Sequence, residues 1–187
     1  MHLNWYKKAL KEQNHPELFR GDTTPISMDD YDNEYGTKQL GKERGSSFAG
    51  GPGIYFTTVE EFARDYGQHV TRKTIQNANI LKEESRLFNY NQIEKILQGV
   101  ERETMEIAIS NWDENHNAGK KMLVQSIMNA DNPIDQVMLI WSEVFQHQNP
   151  NAFIQLMINN GIDGIAIPRP HQNDTHYVIY NKNVLSN

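Results

Sequence analysis

The sequence predicts an α+β fold, with a β-sheet built from both ends of the chain and helices from its middle. Runs rich in β-branched and aromatic residues lie at 17–21 and 53–57, and again at 162–167 and 177–180. Residues 84–160, between these runs, repeat apolar side chains at helical spacing. Strands that flank one block of helices, rather than alternating with them, are typical of α+β proteins.

Composition fits one folded domain. The chain has 187 residues, 37% hydrophobic and 22% charged, which is enough for a sizeable core. The absence of cysteine excludes a disulfide framework, a thiolate nucleophile and a cysteine zinc site. No apolar run approaches the roughly 20 residues of a membrane span, and the first residues lack the apolar core of a secretory signal. We therefore expect a cytoplasmic protein, or one delivered into a host cytoplasm, with no membrane partner.

The chain opens with a predicted helix over residues 3–13, which His15-Pro16 ends because the residue before proline avoids the helical region. We therefore expect an N-terminal helix within residues 1–15, followed by the main domain at 16–187. That domain begins with the short strand predicted at 17–21. The polar, glycine-rich residues 22–53 after it are predicted to form a long loop of the kind that often binds ligands.

A second strand is predicted at 53–57, followed by a helix over 59–66. Thr58, with Glu61 three residues later, forms the capping-box pattern at the start of this helix. Phe62 and Tyr66 would share one face of it. Further strand character is predicted near Val70 and around 80–81.

The stretch at 84–160 is predicted to be helical throughout. Its apolar residues form several sets at helical spacing, for example Ile93, Ile96 and Leu97. Asn132-Pro133 and Asn149-Pro150 are expected to separate neighbouring helices, because proline cannot continue a helix.

Three segments together resemble a known family. They read Leu-Phe-Arg-Gly at 18–21, Gly-Pro-Gly-Ile-Tyr-Phe at 51–56, and Thr-His-Tyr-Val-Ile-Tyr at 175–180. In this order they resemble the three conserved strands of the ADP-ribosyltransferases, mainly the diphtheria-toxin and poly(ADP-ribose) polymerase branch. The resemblance covers about 17–82 and 160–187. It implies the split β-sheet core of that family, with residues at about 84–160 as a helical insertion.

In the first motif, the resemblance implies that Gly21 grips the nicotinamide amide of NAD through its backbone. Arg20 would bind the ribose or phosphate side of NAD, since its planar fork suits phosphate and hydroxyl oxygens. The diphtheria-toxin branch has histidine at this position, and an arginine is similar to the cholera-toxin branch.

In the second motif, Tyr55 and Tyr66 stand eleven residues apart, similar to the family's spacing for the two rings that sandwich nicotinamide. Aromatic faces hold a flat cation by stacking and through the ring quadrupole. Phe56 and Thr57, next to Tyr55, are also expected to contact NAD, although for Thr57 a strand-end role is the alternative. The family's serine donor to nicotinamide is replaced by Ala63.

In the third motif, His176 occupies the place of the family's glutamate, which would stabilise the oxocarbenium-like charge as the glycosidic bond breaks. Neutral His176 can accept a hydrogen bond or act as a base, but it cannot supply that negative charge. Asp174, two residues earlier, would share its strand face and is expected to contact NAD at the reacting ribose together with His176. Asp22, Glu34 and Glu43 are other candidate carboxylates.

The resemblance implies a mono-ADP-ribosyltransferase that cleaves the nicotinamide–ribose bond of NAD and transfers ADP-ribose to an acceptor. The catalytic candidates are Arg20, Tyr55 and His176. NAD would be a substrate, and no metal is expected, because His171, His176 and Asp174 lack a further spaced ligand. The net charge of −6 favours a protein acceptor over a nucleic acid. The toxin-like core hints at a bacterial or phage effector.

Other functions stay open. With water as the acceptor, the same site would be an NAD glycohydrolase. The histidine at the glutamate position favours a second class, a catalytically inactive module that binds NAD, ADP-ribose or a protein. In a third class, a structural or interaction protein, the likeness to the family would be accidental.

Overall fold

The computed structural model describes residues 16–25 and 51–186, and it confirms the α+β class. A curled, mixed sheet of seven strands has the order β4-β5-β6-β2-β1-β3-β7. Strands β4 and β5 pair in parallel, and every other pair is antiparallel. The strands are β1 Leu18–Asp22, β2 Ile54–Thr57, β3 His69–Ile75, β4 Ile80–Leu81, β5 Gly164–Arg169, β6 Asp174–Ile179 and β7 Leu185–Ser186.

Within the described residues, six α-helices accompany the sheet. The last turns of α5 continue directly into a π-helix at Ile140–Val144, and 3₁₀ turns lie at Pro170–Gln172 and Lys182–Val184. The helices are α1 Glu60–Arg64, α2 Tyr90–Leu97, α3 Arg102–Ser110, α4 His116–Met128, α5 Pro133–Leu139 and α6 Pro150–Asn159.

The helical character predicted for 84–160 is confirmed, and both Asn-Pro breaks lie where expected. Asn132 caps α5 by accepting a hydrogen bond from the amide of Asp135 at 3.0 Å. Asn149 caps α6 in the same way from Ala152 at 3.4 Å. In each case the following proline is at the start of the helix, where its missing N–H costs nothing. Turns at 98–101 and 111–115 divide the stretch further than predicted.

The capping prediction at Thr58 is wrong. The helix begins one residue later, after Val59, with no side-chain hydrogen bond at its cap. Thr58 Oγ1 instead donates to Asp174 Oδ1 at 2.8 Å. Helix α1 ends at Arg64, so Tyr66 lies beyond it rather than in its last turn. The capping box is found at α2, between Asn89 and Gln92.

The two faces of the sheet pack against different layers. Val178 and Tyr180 face the helices, where they join a core with residues such as Leu123 and Phe153. Ile179, between them in sequence, belongs to a second core on the opposite face, as the alternation of a strand requires. The middle of the chain therefore forms a layer packed on the sheet. The second core contains Leu18, Ile54, Phe56, Ile75, Ala166, Tyr177, Ile179 and Val184.

Several predictions fall outside the described residues. They are the N-terminal helix within 1–15, most of the long loop at 22–53, and the candidate carboxylates Glu34 and Glu43.

Candidate functional site

The strands that carry the motif residues lie side by side in the sheet. Strand β2, with Tyr55, is flanked by β1, with Arg20, and by β6, with His176. The register places Thr57 opposite His176 and Tyr55 opposite Val178. Directly opposed residues share a face of the sheet. Tyr55, Thr57 and His176 therefore lie on the face that the helices cover.

The sheet opens between β1 and β2. These strands pair only at Phe19 and Thr57, whereas β1 pairs with β3 over its whole length. Arg20 bridges the opening, because its Nη1 donates to the backbone oxygen of Tyr55 at 3.4 Å. A side-chain donor thus satisfies a strand carbonyl that a longer β1–β2 ladder would pair with backbone.

Arg20 is held on its other side by Asp22. Both Nε and Nη2 of Arg20 lie 3.1 Å from Asp22 Oδ1, and both residues are buried. A buried arginine with a fixed carboxylate partner keeps its guanidinium in one place. Asp22 was one of the candidate carboxylates predicted from the sequence, and in the structure its carboxylate pairs with the guanidinium of Arg20.

Tyr55 is half-buried and packs against the helical core. Its hydroxyl donates a hydrogen bond to the backbone oxygen of Gly51. Gly51 in turn lies against the π-helix region, since a Cβ there would be 3.2 Å from Met138 and 3.5 Å from Trp141. The ring of Tyr55 is therefore fixed from both of its ends.

The neighbours of Tyr55 occupy different surroundings. Phe56 belongs to the core on the opposite face of the sheet. Thr57 is buried, and its hydroxyl donates to Asp174 Oδ1 at 2.7 Å. Tyr66 is 60% exposed and reaches no ring contact with Tyr55 in the described part of the chain.

Gly21 allows β1 and α1 to approach closely. A Cβ at this position would lie 1.8 Å from the backbone oxygen of Ala63 and 3.0 Å from the amide nitrogen of Gly67. No side chain fits at such distances without moving the backbone of α1. The close packing of β1 on α1 is thus one reason for glycine here, separate from any ligand.

Asp174 joins the end of β2 to the start of β6. Its Oδ1 accepts from the hydroxyls of Thr57 and Thr58 at 2.7 and 2.8 Å. The same oxygen accepts from the amides of Thr58 and Thr175 at 3.0 and 2.7 Å. Burial raises the pKa of Asp174, but the hydrogen bonds from Thr57 and Thr58 and the charge of His176 outweigh it. The net pKa lies below its ordinary value, so Asp174 is a carboxylate at neutral pH.

His176 lies on the other oxygen of Asp174. Its Nε2 is 3.0 Å from Asp174 Oδ2, although the N–H direction is not aligned, which leaves Oδ2 without an aligned donor among the described residues. Burial, and then the positive charge of Arg169, lower the pKa of His176, and Asp174 partly offsets them. The imidazole is therefore neutral near pH 7 and can accept a proton.

Sequence reasoning placed Asp174 and His176 on one face, and this is confirmed, because β6 begins at Asp174. It missed Thr58 as a partner of the carboxylate and Arg169 as a charge close to His176. The only sequence signal for the first was the Thr-Thr pair at the end of β2, which also fits a helix cap.

We expect the protein to lose stability in mild acid. A histidine whose pKa is lowered by folding binds protons more readily when unfolded, so stability falls as pH drops below about 6.5. Asp174 adds a second loss at lower pH, since its folded pKa is depressed and the native carboxylate must be protonated.

Urea unfolding at a series of pH values measures this effect. The change between about pH 7 and pH 5 should shrink in His176→Gln and persist in His171→Gln, whose histidine is exposed. Equal pH dependence in His176→Gln and the wild type would contradict the assignment.

Across residues 16–25 and 51–186, no three or more His, Asp or Glu side chains are grouped so that they could hold a metal ion. None of the helices described is both long and apolar enough to cross a membrane.

Comparison with known proteins gives little further information. The chain matches no protein-family model, and no curated protein matches its sequence. One similar solved structure is described as the "Crystal structure of an anti-CRISPR protein". It shares 15% sequence identity with this chain, covers 91% of each chain, and has a TM-score of 0.33. A likeness this distant carries no argument about function.

Proposed function

We propose that this chain is an NAD-dependent mono-ADP-ribosyltransferase with the split-sheet core of that family. One observation carries the proposal. Three motif segments recognised in sequence occupy the adjacent strands β6, β2 and β1, and Arg20 bridges β1 and β2 through the backbone oxygen of Tyr55. Thr57 and Asp174, separated by 117 positions, are directly hydrogen-bonded between β2 and β6. An accidental likeness of short motifs does not require this adjacency.

Nicotinamide would bind beside Tyr55. The half-buried ring of Tyr55 would supply one aromatic contact, and the ring of Tyr66 would supply the second. Positively charged nicotinamide is favoured between such rings. The backbone of Gly21, where β1 and β2 have separated, would contact the carboxamide.

The sugar and phosphate side of NAD would lie towards Arg20. Because Asp22 and the carbonyl of Tyr55 already hold this guanidinium, it would place the ribose without first having to be ordered. Phe56 and Thr57 would support the site through packing and through Asp174, rather than by direct contact with NAD.

The charge needed at the reacting ribose can come from the pair of Asp174 and His176. His176 alone is neutral, but the carboxylate 3.0 Å behind it gives the pair one negative charge. A charge held in a buried site acts more strongly on an oxocarbenium-like transition state than one in water. The missing glutamate therefore does not by itself remove electrostatic stabilisation.

Single transfer is favoured over polymer formation, because in the family the glutamate supports chain elongation. The acidic net charge of −6 favours a protein acceptor over a nucleic acid. If water is the acceptor, the site is an NAD glycohydrolase. The second candidate function is a binding module without chemistry, which the histidine at the glutamate position favours.

The Tyr55 series tests the proposal. We expect Tyr55→Ala to weaken NAD binding and to lower nicotinamide release by about 100-fold, since a stacked aromatic contact of roughly 0.5–1.5 kcal/mol is lost in both binding and orientation. Tyr55→Phe keeps the ring and loses the hydroxyl with its hydrogen bond to Gly51, so a smaller effect is expected.

The matched control is Tyr90→Ala, which removes an exposed tyrosine from α2. Calorimetric NAD titration and nicotinamide release should show no change in it. Loss of release with unchanged NAD affinity in Tyr55→Ala would limit Tyr55 to catalysis. Unchanged binding and release in that variant would refute the proposed site.

A further inference from the structure

The network around Asp174 fixes more than the start of β6. Four donors converge on Oδ1, from Thr57, Thr58 and Thr175, and they leave Oδ2 directed at His176. The side chain of Asp174 is fully buried, so solvent cannot compete for that oxygen. Among the described residues, the polar atom that lies next to Oδ2 is Nε2 of His176, 3.0 Å away.

We propose that Thr58 and Asp174 position His176 as a general base whose Nδ1 takes the proton of a hydroxyl acceptor. This inference rests on the proposed function. It names the acceptor chemistry as an O–H group that must lose its proton, rather than a carboxylate, which has none to lose. Asp174 is then a positioning residue, not a contact of NAD.

The tautomer of His176 decides which of its ring nitrogens can act as the base. When Nε2 carries the proton towards Asp174 Oδ2, the lone pair of the neutral imidazole is on Nδ1. Protonation of Nδ1 makes an imidazolium, and the buried carboxylate 3.0 Å from Nε2 stabilises that cation. Within residues 16–25 and 51–186, the charged groups that act on His176 are Asp174 on its own strand and Arg169 on β5. Arg169 disfavours a resting imidazolium, so the base is free before the reaction.

The proton and electrons balance in a single transfer. The bond from ribose C1′ to the nicotinamide nitrogen breaks, and its electron pair neutralises the nicotinamide cation. The acceptor oxygen forms a new bond to C1′ as its proton passes to Nδ1 of His176. Solvent later removes that proton, which restores the neutral imidazole.

Substitution of Thr58 tests the positioning role without changing Asp174 or His176. The hydroxyl of Thr58 donates to Asp174 Oδ1 and accepts from the amide of Thr175 at 3.0 Å. Thr58 has no recognised place in the motifs. Thr58→Val keeps the shape of the side chain but loses both bonds, whereas Thr58→Ser keeps the hydroxyl.

The test uses the whole chain with selectively ¹⁵N-labelled histidine. In the wild type, the ring shifts of His176 should report a proton on Nε2 at neutral pH. In Thr58→Val and in Asp174→Asn, the Nε2–H tautomer should lose population, and Thr58→Ser should restore it. An Nδ1–H tautomer in the wild type, or identical tautomers in all four proteins, would overturn the positioning role whatever the activity.

The second test measures the rate of product formation with two acceptors, methanol as a small hydroxyl and acetate as a carboxylate. We expect methyl-linked ADP-ribose from methanol and no adduct from acetate. The rate of methyl-product formation should fall roughly tenfold or more in Thr58→Val, and the acid limb of its pH profile should shift. Thr58→Ser should regain the wild-type rate. Equal products from acetate and methanol would overturn the acceptor assignment. The expected tautomer without nicotinamide release would instead reject the proposed transferase and leave the positioning intact.

Discussion

Gly21→Ala is expected to destabilise the fold by about 3 kcal/mol or more, the range of severe steric changes. The new methyl carbon would be placed 1.8 Å from the backbone oxygen of Ala63 and 2.7 Å from its carbonyl carbon. Neither atom is the end of a flexible side chain, so β1 or the whole of α1 must move. Ala63 is itself buried, and its displacement would open the packing beneath the helix.

The measurement is urea unfolding followed by circular dichroism, with Gly161→Ala as the control. Gly161 has a φ of 74° and open space around its missing side chain, so alanine there costs only about 1 kcal/mol of backbone strain. The comparison separates close approach from dihedral strain. Equal, small losses of stability in the two variants would mean that β1 and α1 do not pack as described.

His176→Ala is expected to lower nicotinamide release by about 100-fold or more, the usual contribution of a positioned acid or base. The variant removes the imidazole and leaves the charge of Asp174 buried without its neighbour on Oδ2. Affinity for NAD should change far less than the rate, because Tyr55 and Arg20 hold the two ends of the substrate in the proposed site.

His171→Ala serves as the matched control for this variant. His171 lies in the exposed 3₁₀ turn just before β6, so its loss should leave both rate and affinity unchanged. Circular dichroism at the assay pH confirms that each variant is folded. A His176→Ala protein that is folded and releases nicotinamide at the wild-type rate would remove histidine from the mechanism.

Much of the sheet could be predicted because its signals are local. Residues such as Ile54, Tyr55 and Tyr177 favour strands by shape alone, and the order of the three motifs predicted that their strands belong together. The Asn-Pro pairs before α5 and α6 were equally clear, since both residues act within one turn of the chain.

The site network could not be predicted, because its partners are far apart in sequence. The pattern from Thr58 to Glu61 fits a helix cap. In the structure, however, the Thr58 hydroxyl donates to the buried carboxylate of Asp174, 116 residues away. A charge-assisted bond in a buried place is stronger than one to a solvated helix end. The residues next to Thr58 in sequence give no indication that Asp174 is its partner.

The packing role of Gly21 could not be predicted from the sequence either. Its place beside Arg20 predicts a ligand contact, while the structure supplies a packing reason in the backbone of Ala63. The strand residues could be read from the sequence, but the separation between β1 and α1 depends on how two elements pack. Both reasons can hold at one position, and the loss of stability in Gly21→Ala measures the packing reason.

Release of free nicotinamide from NAD by the purified full chain tests the central claim most directly. We expect release at neutral pH that rises to saturation with NAD, with water or an added hydroxyl as acceptor, and that is lost in Tyr55→Ala and His176→Ala but kept in Tyr90→Ala and His171→Ala. No release by the folded wild-type protein, even with cell extract supplied as acceptor, would contradict the transferase. NAD binding that persists without release would point to the binding module instead.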